Sequence, residues 1–209
     1  MEMQKTVLIL AGGKSLRFQQ HDKCFISLNN KPLLLHAIDS VSNIADEIIV
    51  AARDRKQGEQ IRHVIRNKKI SLVFDSVNNF GPLAGILSGL ECASSEYALV
   101  IGCDMPCIKS DVVEFLFEIA STGYDAVVPR WENGMVEPLH AVYRTEPMLA
   151  AIKAAPGESE SKVLTILSQL KNVDFLPMDK IRVIDPSLET FTNINTLDEL
   201  KRYELLMRR

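Results

Sequence analysis

The fold is decided by one stretch near the amino terminus, Val7-Leu8-Ile9-Leu10-Ala11-Gly12-Gly13-Lys14-Ser15-Leu16-Arg17, which Asp22-Lys23 follows. Its leading apolar residues predict a strand buried on both faces, because a half-exposed strand would alternate apolar and polar residues. The two glycines then predict a loop whose backbone N–H groups can approach a ligand closely. Cations at Lys14, Arg17 and Lys23 give this loop the charge that suits a triphosphate. The alternative is an ordinary strand-to-helix turn with solvated basic residues.

This loop matches neither of the two most familiar phosphate-binding motifs. A P-loop lysine stands directly before Ser or Thr and after a second, distant glycine, whereas Lys14 follows Gly12-Gly13 at once. A dinucleotide-binding fingerprint needs a further glycine, and none occurs between Gly13 and Lys31. A different kind of phosphate loop is therefore expected.

Strands and helices alternate along the first two-thirds of the chain, which predicts a largely parallel sheet covered by helices on both faces. The expected strands are 7–10, 47–52, 71–74, 97–101, 126–129, 137–143, 173–176, 182–184 and 189–192. The expected helices are 32–44, 57–65, 83–90, 110–120, 145–155, 162–170 and a last one beginning at Thr196, which forms a capping box with Glu199. The fold class is therefore α/β, with three layers and a mostly parallel, mixed sheet.

Polar residues and a glycine follow three of these strands at their carboxyl ends. They are Gly12, Asp75 and Asp104, and ligands of open α/β sheets bind along that edge, so we expect all three on one rim. Asp104 follows the most hydrophobic strand, where a carboxylate needs a partner such as Mg²⁺. A helix cap is the alternative role for Asp104, and an Asx-turn is the alternative for Asp75.

Length and composition narrow the class of protein. With 209 residues, 46% of them hydrophobic, one compact domain over residues 1–209 is expected. The net charge is −3, and the chain lacks the clustered excess of basic residues that a nucleic-acid-binding surface usually needs, so no nucleic-acid partner is expected. No apolar run is long enough to span a membrane, and Met1–Lys5 lacks the apolar segment of a signal peptide, so a soluble, cytoplasmic protein without a membrane partner is expected.

The cysteines argue against a metal site of their own. Cys103 and Cys107 stand four apart, but no second pair with ligand spacing exists. Reduced, mostly buried thiols are therefore expected at all four positions, Cys24, Cys92, Cys103 and Cys107.

The motifs, in their order, resemble those of nucleotidyltransferases that attach an NMP to a phosphorylated acceptor, and most closely the molybdenum cofactor guanylyltransferases. The resemblance covers nearly the whole chain. Its motifs are Leu10-Ala11-Gly12-Gly13, Asp22-Lys23, Gly81-Pro82-Leu83-Ala84-Gly85, Cys103-Asp104-Met105-Pro106 and Phe191-Thr192-Asn193-Ile194-Asn195-Thr196. The chain departs from the family where Phe18-Gln19 replaces a Met-Gly pair and where Ala51 replaces an asparagine on the guanine side.

The resemblance implies a Rossmann-like nucleotidyltransferase fold with a nucleotide-binding half over about residues 1–108 and an acceptor-side half over about 109–209. It implies that Lys23 and Arg17 are catalytic and that Asp104 holds Mg²⁺. The nucleotide-binding residues that it implies are Leu10, Ala11, Gly12, Gly13, Lys23, Asp75 and Asp104. The segment Glu137–Tyr143 is expected to line the acceptor side. Asn193 and Asn195, two apart on an extended segment, are expected to face the acceptor together while Ile194 packs.

The implied reaction is transfer of GMP from GTP to the terminal phosphate of molybdopterin, with release of pyrophosphate. Contact with other proteins of molybdenum cofactor biosynthesis is compatible with that role. One alternative is a related nucleotidyltransferase that uses CTP or a different phosphorylated acceptor. The other alternative, from a different functional class, is a non-catalytic nucleotide-binding regulator with the same fold.

Overall fold

A computed structural model describes residues 3–12, 22–66, 69–77, 80–155 and 162–207. Seven strands in these ranges form one sheet, and two short strands form a small hairpin. The strands are β1 (Lys5–Leu10), β2 (Ser27–Leu28), β3 (Lys31–Pro32), β4 (Glu47–Ala52), β5 (Ser71–Phe74), β6 (Tyr97–Gly102), β7 (Ala126–Arg130), β8 (His140–Arg144) and β9 (Val173–Pro177).

The helices connect the strands and cover the sheet. They are α1 (Leu33–Val41), α2 (Arg55–Val64), α3 (Pro82–Cys92), α4 (Ser110–Ala120), α5 (Thr145–Ala154), α6 (Val163–Leu167), α7 (Met178–Arg182) and α8 (Leu197–Met207). The expected capping box is present at the start of α8, because Oε2 of Glu199 accepts from the N–H of Thr196 and Oγ1 of Thr196 accepts from the N–H of Glu199. None of the helices in the described ranges is long and apolar enough to cross a membrane.

The strand order of the large sheet is β5-β4-β1-β6-β8-β7-β9. Of these strands, β8 alone is antiparallel to its neighbours, and the others all run in one direction. The expectation of a mostly parallel, mixed sheet is therefore confirmed. Because the parallel strands share one carboxyl edge, the residues that follow β1, β4, β5 and β6 come together there.

The apolar runs of the strands are explained by helices on both faces of the sheet. In β1, Val7 and Ile9 belong to one buried cluster, which α1, α2 and α4 cover, and Leu8 belongs to another, which α3, α5 and α6 cover. All three side chains are fully buried. Helix α3 packs closely on this second face because Gly89 has no side chain there; a Cβ at this position would lie 2.3 Å from Leu8.

The predicted strands were wrong for three segments in the second half of the chain. The expected strand 182–184 is instead the end of α7 and the residues after it, where Val183 is 85% exposed. The expected strand 189–192 contains a 3₁₀ turn, Glu189–Phe191, which the carboxylate of Asp185 stabilises by accepting from the N–H of Thr190. Their β-branched residues favour strands, but local hydrogen bonds at the end of α7 and in the turn override that preference. Residues 137–139 precede β8 and are not part of it.

A small third cluster brings the end of the chain to the carboxyl edge. Ile194 packs against Leu28 of the β2–β3 hairpin, Leu33 of α1 and Leu200 of α8. The N–H of Ile194 donates to the backbone oxygen of Asp104 (2.9 Å). The segment from Thr192 to Asn195 is irregular, yet these contacts hold it beside the residue that follows β6.

Candidate active site

A cavity of about 610 Å³ opens at the carboxyl edge of the parallel strands. Its lining includes the predicted residues Leu10, Gly12, Lys23, Asp75 and Asp104. The strands explain this arrangement, because Gly12 follows β1, Asp75 follows β5 and Asp104 follows β6. The structure therefore places on one rim the three strand-end residues that the sequence predicted to meet there.

An ion pair across the cavity joins two of the predicted functional residues. Nζ of Lys23 donates to Oδ2 of Asp104 (2.8 Å) and to Oδ1 of Asn195 (2.6 Å). The side chains of Lys23 and Asp104 are 24% and 20% exposed, so the pair is accessible from the cavity. Residues 23, 104 and 195 are far apart in the sequence, and the fold alone brings their charged and polar groups together.

Asp75 has a carboxylate oxygen, Oδ1, that is buried without a hydrogen-bond partner among the described residues. Burial raises the pKa of the Asp75 carboxyl to about 6, although the nearby positive charge of Arg53 opposes the rise. The carboxylate stands close to Gly85 of α3, where a Cβ would lie 3.4 Å from Oδ1. An unpaired buried acceptor at a cavity wall indicates that a ligand donor belongs there.

The backbone that leads into the glycine loop is well fixed as far as it is described. The N–H of Ala11 donates to the oxygen of Ala51 (2.9 Å), which continues the β1–β4 ladder beyond Leu10. Gly12 is exposed and faces the cavity. Gly13 and Arg17 lie outside the described residues, so their predicted roles stay predictions.

The two asparagines of the carboxyl-terminal motif behave differently. Oδ1 of Asn195 accepts from Lys23, whereas Nδ2 of Asn193 donates to the backbone oxygen of Phe191 (3.3 Å) within its own turn. Ile194 is buried between them, as expected. Of the two side chains, only Asn195 is in contact with the cavity residues named above.

The segment 137–143 contributes one residue to the cavity and hides another. Leu139 lines the cavity, while the side chain of His140 is fully buried next to the ring of Phe191. Burial lowers the pKa of His140 to about 4, so this imidazole is neutral near pH 7. His140 therefore packs behind the site and does not supply a proton donor to it.

Metal ligands have to come from few protein groups. Within residues 3–12, 22–66, 69–77, 80–155 and 162–207, no three His, Cys, Asp or Glu side chains lie close enough together to form a metal site from protein ligands alone. All four cysteines are free. Cys24 and Cys103 are buried and burial raises the pKa of each thiol, but Cys92 is exposed, so the expectation of mostly buried thiols holds for only part of the set.

Sequence reasoning missed two residues near the start of α2, namely Arg53, which precedes the N-cap Asp54, and Gln57 in the first turn. Arg53 lines the cavity and its guanidinium holds Asp22, with distances of 2.8 Å from Nη1 to Oδ1 and 3.3 Å from Nη2 to Oδ2. Gln57 is 1% exposed and uses both ends of its amide in hydrogen bonds. A signal was present in the sequence, because Asp54 and Gln57 have the spacing of a capping box.

Comparison with known proteins places these observations in a family. The family model of the MobA-like NTP transferase domain matches residues 7–173. This chain belongs to the MobA-like NTP transferase family. Its family and its fold are those of nucleotidyltransferases, which confirms the class of enzyme that the motifs predicted.

Individual relatives of this MobA-like chain agree with that assignment. A probable molybdenum cofactor guanylyltransferase of Methanosarcina acetivorans is 39% identical over 201 residues, which cover 94% of this chain and 88% of the relative. A protein of the same description from Methanosarcina mazei is 38% identical over 200 residues, covering 94% of this chain and 88% of the relative. The crystal structure of molybdopterin-guanine dinucleotide biosynthesis protein A from Archaeoglobus fulgidus superposes with a TM-score of 0.83 at 30% identity, covering 97% of this chain and 98% of that one.

Proposed function

We propose that this protein transfers GMP from GTP to the terminal phosphate of molybdopterin and releases pyrophosphate, with Mg²⁺ as the metal cofactor. The observation that carries the proposal is the Lys23–Asp104 pair, which lines a cavity at the carboxyl edge of a nucleotidyltransferase sheet. A loop cation and a strand-end carboxylate are the charges that a nucleoside triphosphate with its metal requires. The names of the relatives support the choice of guanylyl transfer and of this acceptor.

The chemistry needs no protein nucleophile. An oxygen of the acceptor phosphate attacks the α-phosphorus of GTP, a new P–O bond forms, and the bond between the α-phosphorus and the bridging oxygen breaks as pyrophosphate leaves. Both the attacking and the leaving groups are phosphate oxygens, so catalysis consists of positioning and charge neutralisation. Lys23 supplies a positive charge for the α- and β-phosphates, and we assign the same role to Arg17.

The residues present fit a magnesium ion. Magnesium prefers carboxylate oxygen together with phosphate oxygens and water, and it rarely uses a complete cage of protein ligands. One carboxylate, Asp104, stands at the cavity beside a cation, and it would hold the ion. When bound, Mg²⁺ neutralises phosphate charge. Oδ1 of Asn195 also accepts from the Lys23 ammonium, and this bond helps to hold the ammonium near Asp104.

The groups around Asp75 support a guanine ligand. Guanine presents an N–H and an amino group along one edge, and the unpaired Oδ1 of Asp75 accepts from such donors. The backbone at Leu10 and the start of α3 at Gly81–Gly85 supply the remaining walls. Ala51 also lines the cavity at this place. We also assign the backbone N–H groups of Gly12 and Gly13 as hydrogen-bond donors to the phosphates.

We assign Asn195, with Asn193, to the acceptor side of the site. Both belong to the segment after the 3₁₀ turn, which lies beside Asp104 because the N–H of Ile194 donates to the backbone oxygen of that residue. Asn195 meets Lys23 where the transferred phosphate has to pass, whereas Asn193 reaches its own turn. Asn195 therefore carries the larger share of the acceptor-side role.

Pyrophosphate release measured with GTP, CTP and ATP, each with and without molybdopterin, tests the function. Release that requires both GTP and molybdopterin is the expected result. Equal turnover with CTP would replace guanylyl by cytidylyl transfer, and turnover with another phosphorylated acceptor only would replace molybdopterin. Tight GTP binding without pyrophosphate release under any of these conditions would indicate that the protein is a non-catalytic nucleotide-binding regulator.

A further inference from the structure

The start of α2 is tied to both described flanks of the glycine-rich motif. On the amino-terminal flank, Nε2 of Gln57 donates to the backbone oxygen of Ala11 (3.0 Å). Gly12 stands against the backbone of Arg53, where a Cβ would lie 3.6 Å from its nitrogen. On the carboxyl-terminal flank, the guanidinium of Arg53 holds the carboxylate of Asp22 through two hydrogen bonds. The short segment 53–57 therefore sets the distance between the two described flanks of the motif, Gly12 and Asp22.

That segment is itself held rigidly. The N–H of Arg53 donates to Oε1 of Gln57 (2.8 Å), and its Nε donates to Oδ2 of Asp54 (3.1 Å). Asp54 is the N-cap of α2, and its Oδ1 accepts from the N–H of Gln57 (2.8 Å). A planar fork that is fixed at its base and binds a carboxylate with two parallel bonds determines both the place and the direction of that carboxylate.

Asp22 matters because Lys23 is the next residue. The Asp22 side chain binds Arg53, while the Lys23 side chain binds Asp104 and Asn195. Fixing the Asp22 carboxylate restricts the backbone from which the Lys23 side chain starts. A displacement of about 1 Å in a catalytic group can cost on the order of a hundredfold in rate, so such an anchor affects turnover strongly.

We propose that Arg53 is a positioning residue, which acts through Asp22 to place the ammonium of Lys23 in the site. The rival role is direct binding of the nucleotide phosphates by Arg53, since this side chain also lines the cavity. A second rival is a purely structural ion pair. The rate measurements below rest on the proposed function, whereas the labelling measurement does not.

The variants are R53K, D22N and the double variant, with R144K as a matched control. Lysine keeps the positive charge but loses the fork, so charge loss does not confuse the result. The Arg144–Glu96 pair is a similar contact at the opposite, amino-terminal edge of the sheet, with Nη2 and Oε1 2.7 Å apart. Thermal unfolding of all four proteins establishes that each is folded.

The first measurement is the reactivity of Lys23 toward reductive methylation in the protein without ligands, quantified by mass spectrometry. Cleavage after Glu47 separates Lys23 from position 53, and Lys153, paired with Glu91, is the reference within each sample. We expect Lys23 to react about threefold faster or more in R53K and in D22N, and unchanged in R144K. Unchanged Lys23 reactivity in folded R53K overturns the proposal, whatever the enzyme's substrate proves to be.

The second measurement is kcat and the GTP dissociation constant. R53K and D22N should each lower kcat about tenfold or more, with GTP affinity within about threefold of the wild type. The kcat of the double variant should be no lower than that of the less active single variant, because both changes break the same contact. Weaker GTP binding at unchanged kcat in R53K alone would assign Arg53 to the phosphates. Effects that multiply in the double variant would also contradict an action through Asp22.

Discussion

Replacing Asp75 by asparagine should make the free protein more stable while weakening its binding of GTP. The buried Oδ1 of Asp75 has no partner among the described residues, and burial raises the pKa of the carboxyl to about 6 from an ordinary 3.8. Above pH 6 the native protein therefore contains a carboxylate in unfavourable surroundings. Asparagine keeps an oxygen acceptor and nearly the same shape without that charge.

The size of the effect follows from the two pKa values. A difference between about 6 and 3.8 corresponds to at most about 3 kcal/mol of destabilisation, and partial exposure of the side chain reduces this to about 1–2 kcal/mol. The sign is that of a carboxyl whose folded pKa is raised. The wild-type protein has the full penalty above pH 6, loses it progressively as the pH falls toward 3.8, and has none below.

Urea unfolding of both proteins between pH 4 and pH 8 measures this effect. We expect D75N to exceed the wild type by about 1–2 kcal/mol at pH 8, and the advantage to vanish near pH 4. Calorimetry at pH 8 should show weaker GTP binding by the variant, because an amide is a poorer acceptor for guanine donors than a carboxylate. A variant that is less stable than the wild type by the same amount at every pH would refute the reasoning, since Oδ1 would then have a stabilising partner.

Four further substitutions test the remaining assignments. D104N should lower turnover by about a hundredfold or more, because it keeps the shape and removes the charge that we propose holds Mg²⁺; near-normal rates at saturating Mg²⁺ would make Asp104 structural. K23A should lower kcat more than it weakens GTP binding, since its charge is needed most in the transition state; a change confined to the half-saturating GTP concentration would contradict this role. N195A should lower molybdopterin-dependent turnover about tenfold with GTP affinity within about threefold, whereas N193A should change both by less than about threefold; equal losses in the two variants would show that contact with Lys23 does not distinguish them.

The structure of the first half of the chain could be predicted from the sequence because the patterns that indicate its strands and helices are local. The continuous apolar runs of β1, β4 and β6 identify strands buried on both faces, and the glycines of α3 identify a helix that packs closely on the sheet. The positions of Gly12, Asp75 and Asp104 at one edge also followed, because all parallel strands end on the same side. Each of these inferences needs only periodicity and chain direction.

The second half was harder because local preference and tertiary contacts disagree. Val183 and Ile184 favour a strand by composition, but the buried side chains of Met178 and Ile181 stand three apart and specify a helical turn. At Glu189–Phe191, the carboxylate of Asp185 organises a turn that composition does not reveal. Short apolar segments of this kind carry too few residues to distinguish the two periodicities.

The sequence by itself determined the class of fold, the order of the motifs and three of the four charged residues that the structure describes at the cavity, namely Lys23, Asp75 and Asp104; Arg53 was the exception. The tertiary structure decided which of them meet. Lys23, Asp104 and Asn195 become neighbours only because β6 lies beside β1 and the Ile194 backbone bonds to Asp104. The hold of Arg53 on Asp22 likewise depends on β4 lying beside β1. Contacts between distant residues are set by the strand order and by the packing of a complete core, which no local pattern encodes.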